Sequence, residues 1–302
     1  MKENIITVVG SLNFDIIFKQ KRFAQIGETY TADSVNFTGG GKGANQAVQC
    51  AKLGAKTHMV GAVGKDSFGN ILRKQLTNYG VNVDYVSVSD ENTGLGDVNA
   101  LENGTLIATI STGANFMVNR KHIDEAGELI KRSKIVIFQM EIPIDVVEYA
   151  IGKASLHNCF IILNAAPAKY ISEHALAKVN CLVVNEPEAS FYCGEEIKDL
   201  ESADKNYKKL YAKIKELLVI TMGKNGSLIY DGKTRLHVPT NNVKAIETTG
   251  AGDSFIGALA YKFLQDCDYE EAAKFATRAA EVTITKVGAQ SAMPTLEEIR
   301  HV

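Results

Sequence analysis

The chain has 302 residues, 45% hydrophobic and 23% charged, the make-up of an ordinary globular protein with room for one large α/β domain or two smaller ones. A formal charge of −2 argues against a dedicated nucleic-acid binder, which carries a basic face. No apolar run approaches bilayer-spanning length and no cleavage-site pattern follows Met1, so a cytosolic protein without membrane partners is expected.

In chain order, short apolar runs recur at 5–9, 58–63, 135–140, 160–163, 182–184 and 217–221. Most are continuously apolar, as suits strands covered on both faces. Helical patterns lie between them at 44–53, 67–79, 120–132, 144–157 and 203–216. The alternation predicts an α/β fold: a mainly parallel sheet between two helical layers. Farther on, Ser227–Tyr230 and Thr234–Val238 flank Asp231-Gly232-Lys233, a hairpin signal, and two helices follow at about 251–266 and 269–285. Two segments break the pattern. Residues 13–38 hold strand-like pieces but no helix, and 96–111 read as a hairpin turning at Asn103-Gly104. Extra strands interrupting a parallel core predict a small sheet beside it, a lid. With no linker or repeat, residues 1–302 read as a single domain. The five cysteines form no Cys-Xaa-Xaa-Cys pair, and Cys50, Cys159 and Cys181 sit in apolar stretches, which predicts buried free thiols.

The most informative stretch is Thr248-Thr-Gly250-Ala251-Gly252-Asp253, at the start of an apolar-periodic helix. A helix N-terminus offers unpaired N–H groups and the positive end of the dipole, and Gly250 and Gly252 let backbone amides approach a phosphate. Asp253 beside that anion hole could take a proton from a hydroxyl attacking phosphorus; equally, it could cap a loop. Thr38-Gly-Gly-Gly41-Lys42-Gly-Ala-Asn45-Gln46 is a glycine run entering a helix. It is not a P-loop, because position 36 is Asn and Gly43 stands where Ser or Thr is needed. Lys42 and Asn45 after three glycines suit a small polyol, or the run is a flexible loop. Asn13 and Asp15 follow the first strand, Glu141 the run 135–140, Asn164 the run 160–163, and Asn185 with Glu188 the run 182–184. Acids and amides at successive strand ends favour a ligand crevice there. Asn185 and Glu188 fit either a hydrated magnesium ion or a helix capping box. Thr221-Met-Gly223-Lys-Asn-Gly226 is a loop open to a nucleotide, or a turn.

Together, Gly10-Ser-Leu-Asn13-Phe-Asp15, the glycine-lysine block 39–47, Asn185-Glu-Pro-Glu188, Thr221-Met-Gly-Lys-Asn-Gly226, Thr248-Thr-Gly-Ala-Gly-Asp253 and Gly288-Ala-Gln290 resemble the ribokinase family, the phosphofructokinase-B-type carbohydrate kinases. The resemblance spans essentially the whole chain. It implies a three-layer α/β/α core with a β-sheet lid, lids that pair in a homodimer, and ATP-dependent phosphorylation of a sugar's primary hydroxyl, D-ribose first. By motif, Asp253 is the base and the amides of Gly250, Ala251, Gly252 and Asp253 form the anion hole. Asn13, Asp15, Gly41, Lys42, Asn45 and Glu141 hold the sugar. Asn185 and Glu188 match the magnesium-phosphate motif, Thr221, Gly223 and Gly226 border the nucleotide, and Thr277 stands where His or Asn often meets the adenine. Glu247, Thr249, Thr283, Lys286, Gly288 and Ala292 correspond to the monovalent-cation (potassium) loop. Glu247 replaces a usual Asp, and Asn164-Ala-Ala-Pro167 replaces the common Asn-Pro-Ala-Pro. The nearest alternative is the same chemistry on another acceptor, such as fructose, deoxyribose or a nucleoside. A non-catalytic sugar or nucleotide sensor comes after it, and a dehydrogenase is weaker still, for lack of Gly-Xaa-Gly-Xaa-Xaa-Gly after the first strand.

Overall fold

A computed structural model of the chain describes residues 2–101 and 105–301, so the turn expected at Asn103-Gly104 lies outside the described residues. The strands are β1 (Glu3–Val9), β2 (Asn13–Gln20), β3 (Ser34–Gly40), β4 (Lys56–Gly64), β5 (Val81–Ser89), β6 (Gly94–Leu101), β7 (Leu106–Ser111), β8 (Ser133–Phe138), β9 (Phe160–Asn164), β10 (Cys181–Asn185), β11 (Leu217–Thr221), β12 (Ser227–Tyr230) and β13 (Arg235–Val238). The helices are α1 (Lys42–Lys52), α2 (Ser67–Asn78), α3 (Arg120–Glu125), α4 (Gly127–Arg132), α5 (Ile144–Leu156), α6 (Glu173–Leu176), α7 (Glu186–Cys193), α8 (Leu200–Tyr211), α9 (Ala251–Leu264), α10 (Tyr269–Ile284) and α11 (Leu296–Arg300).

The main sheet has the order β13-β12-β11-β10-β9-β8-β1-β4-β5, and every pairing from β11 to β5 is parallel. Its continuously apolar strands are buried on both faces, as expected. On one side Ile6, Val8, Ile135 and Ile137 meet α1, α2, α9 and α10. On the other, Ile5, Val9, Val136 and Phe138 meet α3, α4 and α5. The chain leaves β1 toward β4 and β5 and later returns to lay β8 against the opposite side of β1. Strand order therefore reverses between β1 and β8, where an open α/β sheet forms a ligand crevice at its carboxyl edge.

The second sheet, with order β3-β2-β6-β7, is the expected lid, its strands lying within 13–40, 94–101 and 106–111. Strand β2 runs antiparallel to β3 and parallel to β6. It grows directly out of β1 and is seated by Phe14, whose ring stacks on Phe68 of α2 at 4.5 Å.

The structure redraws several expected boundaries. The helix expected over 120–132 is two helices, α3 and α4, meeting at Ala126 and Gly127, where glycine weakens the helix interior. That expected over 203–216 starts at Leu200, because Asp199 caps it by accepting from the Ser202 N–H. It stops at Tyr211, and Lys215 N–H then bonds Val179 O. The edge strand β5 escapes a search for continuous apolar runs because it alternates apolar and polar residues. Thr38, Gly39 and Gly40 of the glycine block end β3 rather than forming a loop. Cys50, Cys159 and Cys181 are buried free thiols.

Candidate active site

The crevice is built from strand exits brought level by the sheet register: Val9 pairs Phe138, Phe138 pairs Leu163, Val183 pairs Asn164, and Asn185 pairs Thr221. Into this edge point the starts of α1 and α9, which pack closely because Gly257 of α9 has no side chain. A Cβ there would lie 2.6 Å from Gln49 Cβ and 3.0 Å from the Gln46 carbonyl.

Asp253, in the first turn of α9, is 8% exposed. Asn45 Nδ2 donates to its Oδ2 and Gln46 Nε2 to its Oδ1, each at 2.9 Å. Behind these stand Gln290, donating to Asn45 Oδ1 at 3.1 Å, and Gln139, donating to Gln46 Oε1 at 2.7 Å. Gln46 Nε2 also reaches Asn164 Oδ1 at 3.1 Å. Burial pushes the Asp253 carboxyl above its ordinary range, opposed by Lys42 and the two amide donors. No side chain caps α9: Gly250 takes the left-handed conformation at φ 80°, and the space beside Gly252 is open. A carboxylate thus sits beside a helix start that no side chain caps, as suits an anion, with the Ala251 N–H turned to the Thr248 carbonyl at 3.2 Å.

Four more charges face Asp253. Glu141 accepts from the Ser11 hydroxyl at 2.5 Å and from the Lys42 backbone N–H at 3.1 Å. Burial lowers the Lys42 ammonium pKa, but Asp253, Glu141 and Glu188 outweigh it and hold the pKa above its usual range. Burial raises Glu188, with the Asn185 N–H and Lys42 opposing. Asp15, on β2, is pushed up to about 7 by burial and then by Glu141 and Asp253. It has no hydrogen-bond partner among the described residues, and its carboxylate fills the notches left by two lid glycines. A Cβ on Gly40 would lie 2.0 Å from Asp15 Oδ2, and one on Gly96 2.3 Å from Oδ1. Asn13 is held by Asn115, whose Nδ2 donates to Asn13 Oδ1 at 2.7 Å, and Gly41 (φ 84°) lies against the Asn13 backbone.

Asn13, Asp15, Gly41, Lys42, Asn45, Glu141, Glu188, Gly250, Ala251, Gly252 and Asp253 therefore converge on one crevice. Asn185 and Glu188 form a reciprocal capping box at α7: Glu188 N–H donates to Asn185 Oδ1 and Asn185 N–H to Glu188 Oε2, both at 2.9 Å. The cap expected as one alternative is present. Its remaining polar atoms, Glu188 Oε1 and Asn185 Nδ2, have no protein partner among the described residues. Thr221 closes β11, and Gly223 and Gly226 shape a 3₁₀ turn that Gly226 (φ 83°) ends. Thr277, on α10, is buried with its hydroxyl unpartnered. In the C-terminal loops, Gly288 N–H donates to Glu247 Oε2 at 3.1 Å, while Lys286 turns its ammonium to Glu298. The Thr283 hydroxyl points into α9, donating to Ser254 Oγ, and its carbonyl accepts from the Lys286 N–H at 3.1 Å. Thr249 lies in the turn before α9 and Ala292 in the turn before α11.

Sequence reasoning passed over Ser11, Gln46 and Gln139. Glutamine is usually a surface residue, and neither apolar period nor charge marks it. Gln46 and Gln290 stood inside quoted motifs without a role, and buried polarity within an apolar run was the only other signal, at Gln139.

Residues 4–296 match the pfkB family of carbohydrate kinases. The chain belongs to that family. As a pfkB carbohydrate kinase it is 33% identical over 295 residues to the ribokinase of Haemophilus influenzae, covering 97% of this chain and 96% of that one. It is 32% identical over 295 residues to the deoxyribokinase of Salmonella typhi, with the same coverage. The Arabidopsis thaliana ribokinase, solved with ribose and ATP, superposes with a TM-score of 0.91 at 29% identity, covering 100% of this chain and 98% of that one. The chain is thus a sugar kinase of an ATP-using family. No described helix is long and apolar enough to cross a membrane.

Proposed function

We propose that this kinase transfers the γ-phosphoryl group of ATP to the primary hydroxyl of D-ribose, giving D-ribose 5-phosphate, with Asp253 as the base. The observation that carries the reading is Asp253 itself, tethered at both oxygens beside the uncapped start of α9. Asn13, Asp15, Gly41, Lys42, Asn45 and Glu141 hold the sugar. The amides of Gly250, Ala251, Gly252 and Asp253 receive the transferring group. As the sugar oxygen bonds to phosphorus, the bond to the bridging oxygen of ADP breaks and the hydroxyl proton passes to a free lone pair of Asp253. Phosphoryl transfer has a loose transition state, so the proton moves late and positioning supplies most of the acceleration. Exclusion of water by the lid prevents wasteful hydrolysis.

The nucleotide lies along Thr221, Gly223 and Gly226, and the buried, unpartnered Thr277 hydroxyl suits a contact to the base. Asn185 and Glu188 suit magnesium: an oxygen ligand on Glu188 remains free, and that ion keeps several waters. Bound there, it neutralises charge on the phosphates. Glu247 with carbonyls of Thr249, Thr283, Lys286, Gly288 and Ala292 is an all-oxygen donor set that suits potassium. The exposed apolar side chains of the lid, Val35, Phe37, Ile107 and Ile110, support a homodimer through it. Phe37→Glu should shift the mass seen by light scattering from dimer to monomer.

A second reading, 2-deoxy-D-ribose as acceptor, is supported by the deoxyribokinase relative at nearly equal identity. ADP release with Mg-ATP across pentoses, hexoses and nucleosides, with and without potassium, tests both. The highest kcat/KM on D-ribose is expected. Preference for 2-deoxy-D-ribose would move the acceptor and keep the chemistry, and no turnover on any acceptor would overturn the reading.

A further inference from the structure

The Asp253 carboxylate is the meeting point of two amide chains with one polarity. An ionised carboxylate only accepts hydrogen bonds, so Asn45 and Gln46 must each turn their NH₂ toward it. That leaves Asn45 Oδ1 and Gln46 Oε1 facing outward, and each needs a donor. Gln290 supplies one at 3.1 Å and Gln139 the other at 2.7 Å. Both outer glutamines are almost fully buried, Gln290 at 2% and Gln139 at 0% exposure. The reach of Gln139 is fitted on its far side too. Its Oε1 has no partner and lies over Gly10, where a Cβ would sit 1.8 Å away. Reversing the Gln139 amide would set its oxygen against Gln46 Oε1, so the polarity of the arm is set from the Asp253 end.

We propose that Gln139 and Gln290 are positioning residues for the phosphoryl-transfer reaction: they touch neither the carboxylate nor the ligand crevice, and they hold Asp253 in one rotamer through Gln46 and Asn45. Hydrogen bonds that donate in series toward one acceptor polarise one another, which strengthens each arm. Lys42, Glu141, Asp15 and Glu188 all face the same carboxylate through space and none bonds to it, so these forces do not fix its rotation. The two amide chains do. The outer glutamines come from separate parts of the fold, Gln139 just after β8 and Gln290 in the loop before α11, and both act through neighbouring residues of α1.

This inference rests on Asp253 being the base, and a double-mutant cycle separates the two claims. Gln139→Met keeps the length of the side chain and removes its donor. In the otherwise unaltered enzyme, kcat should fall roughly 10-fold while KM for sugar and for ATP stays within about 2-fold, as expected when a reacting group loses its placement. In the Asp253→Asn background the same change should cost less than about 2-fold, because the carboxylate it serves is gone. Equal losses in both backgrounds, or no loss in the unaltered enzyme, would overturn the positioning role and leave the base intact. Near-normal turnover by Asp253→Asn alone would instead remove the base and this inference with it. If Gln139→Met does not fold, Gln290→Met in the same cycle decides the question on the other arm.

Discussion

Two carboxylates face each other across the crevice, one on the rigid core and one on the lid, and the protein treats them oppositely. Asp253 is bonded at both oxygens by amides that are themselves bonded. Asp15 has no partner among the described residues; Gly40 and Gly96 clear space for it, and burial with two neighbouring acids lifts it to about 7. Burial alone does not decide what an acid does. The first is held in a fixed orientation, which suits the base of the proposed reaction. The second is left with unfilled acceptor capacity, which suits the proposed contact to sugar hydroxyls.

The largest test of this division is Asp253→Asn, expected to lower kcat by roughly 10²- to 10⁴-fold with the fold unchanged by circular dichroism. Asp15→Asn should instead raise KM for the sugar by about 10- to 100-fold, the loss of one or two charge-assisted hydrogen bonds, with a small change in kcat. If both variants lowered kcat alike, the division of labour would be wrong. Asp15 also carries a stability signature. Its folded pKa of about 7 lies above the ordinary 3.8, so its contribution is complete below 3.8 and is lost as pH rises through about 7. Unliganded Asp15→Asn should therefore be more stable than the parent at pH 8, by roughly 2 kcal/mol, with the gap closing in acid. Denaturant melts at pH 4 and pH 8 measure it, and a gap independent of pH would contradict the cause given.

Gly257→Ala attacks the core side alone. The added methyl wedges α1 from α9, costing about 1–3 kcal/mol and displacing the amides from Asp253, so kcat should drop while KM changes little. The smallest effect concerns Glu247: Glu247→Asp should change the potassium response of turnover by no more than a few-fold, since Gly288 N–H already fixes that carboxylate to its loop. Titrating activity with potassium chloride reads it.

Much of this arrangement was legible in the residues. Continuously apolar strands announced the parallel sheet, the interruptions at 13–38 and 96–111 announced the lid, and the glycines before Asp253 announced a helix start that no side chain caps. Strand β5 was missed because an edge strand alternates, and the single helix drawn over 120–132 ignored Gly127. At Asn185 and Glu188 the pattern for a capping box and for a magnesium motif is the same, and the box is what the side chains form. The amide chains were invisible for a different reason. Gln139 and Gln290 lie far from Asp253 in sequence and gain meaning only when α1 brings Asn45 and Gln46 between them, which is a property of the assembled layers rather than of any local period.

Strand β2 starts at the crevice, with Asn13 pinned by Asn115, and carries the lid outward from there. At about 3.3 Å per residue, its far end at Gln20 stands roughly 23 Å from that pivot and Asp15 only about 7 Å. The lid is accordingly a lever with a ratio of about three to one: a 3 Å swing at the tip moves the acid by about 1 Å. Whatever grips the tip works on Asp15 through reduction gearing, trading distance for fineness of adjustment.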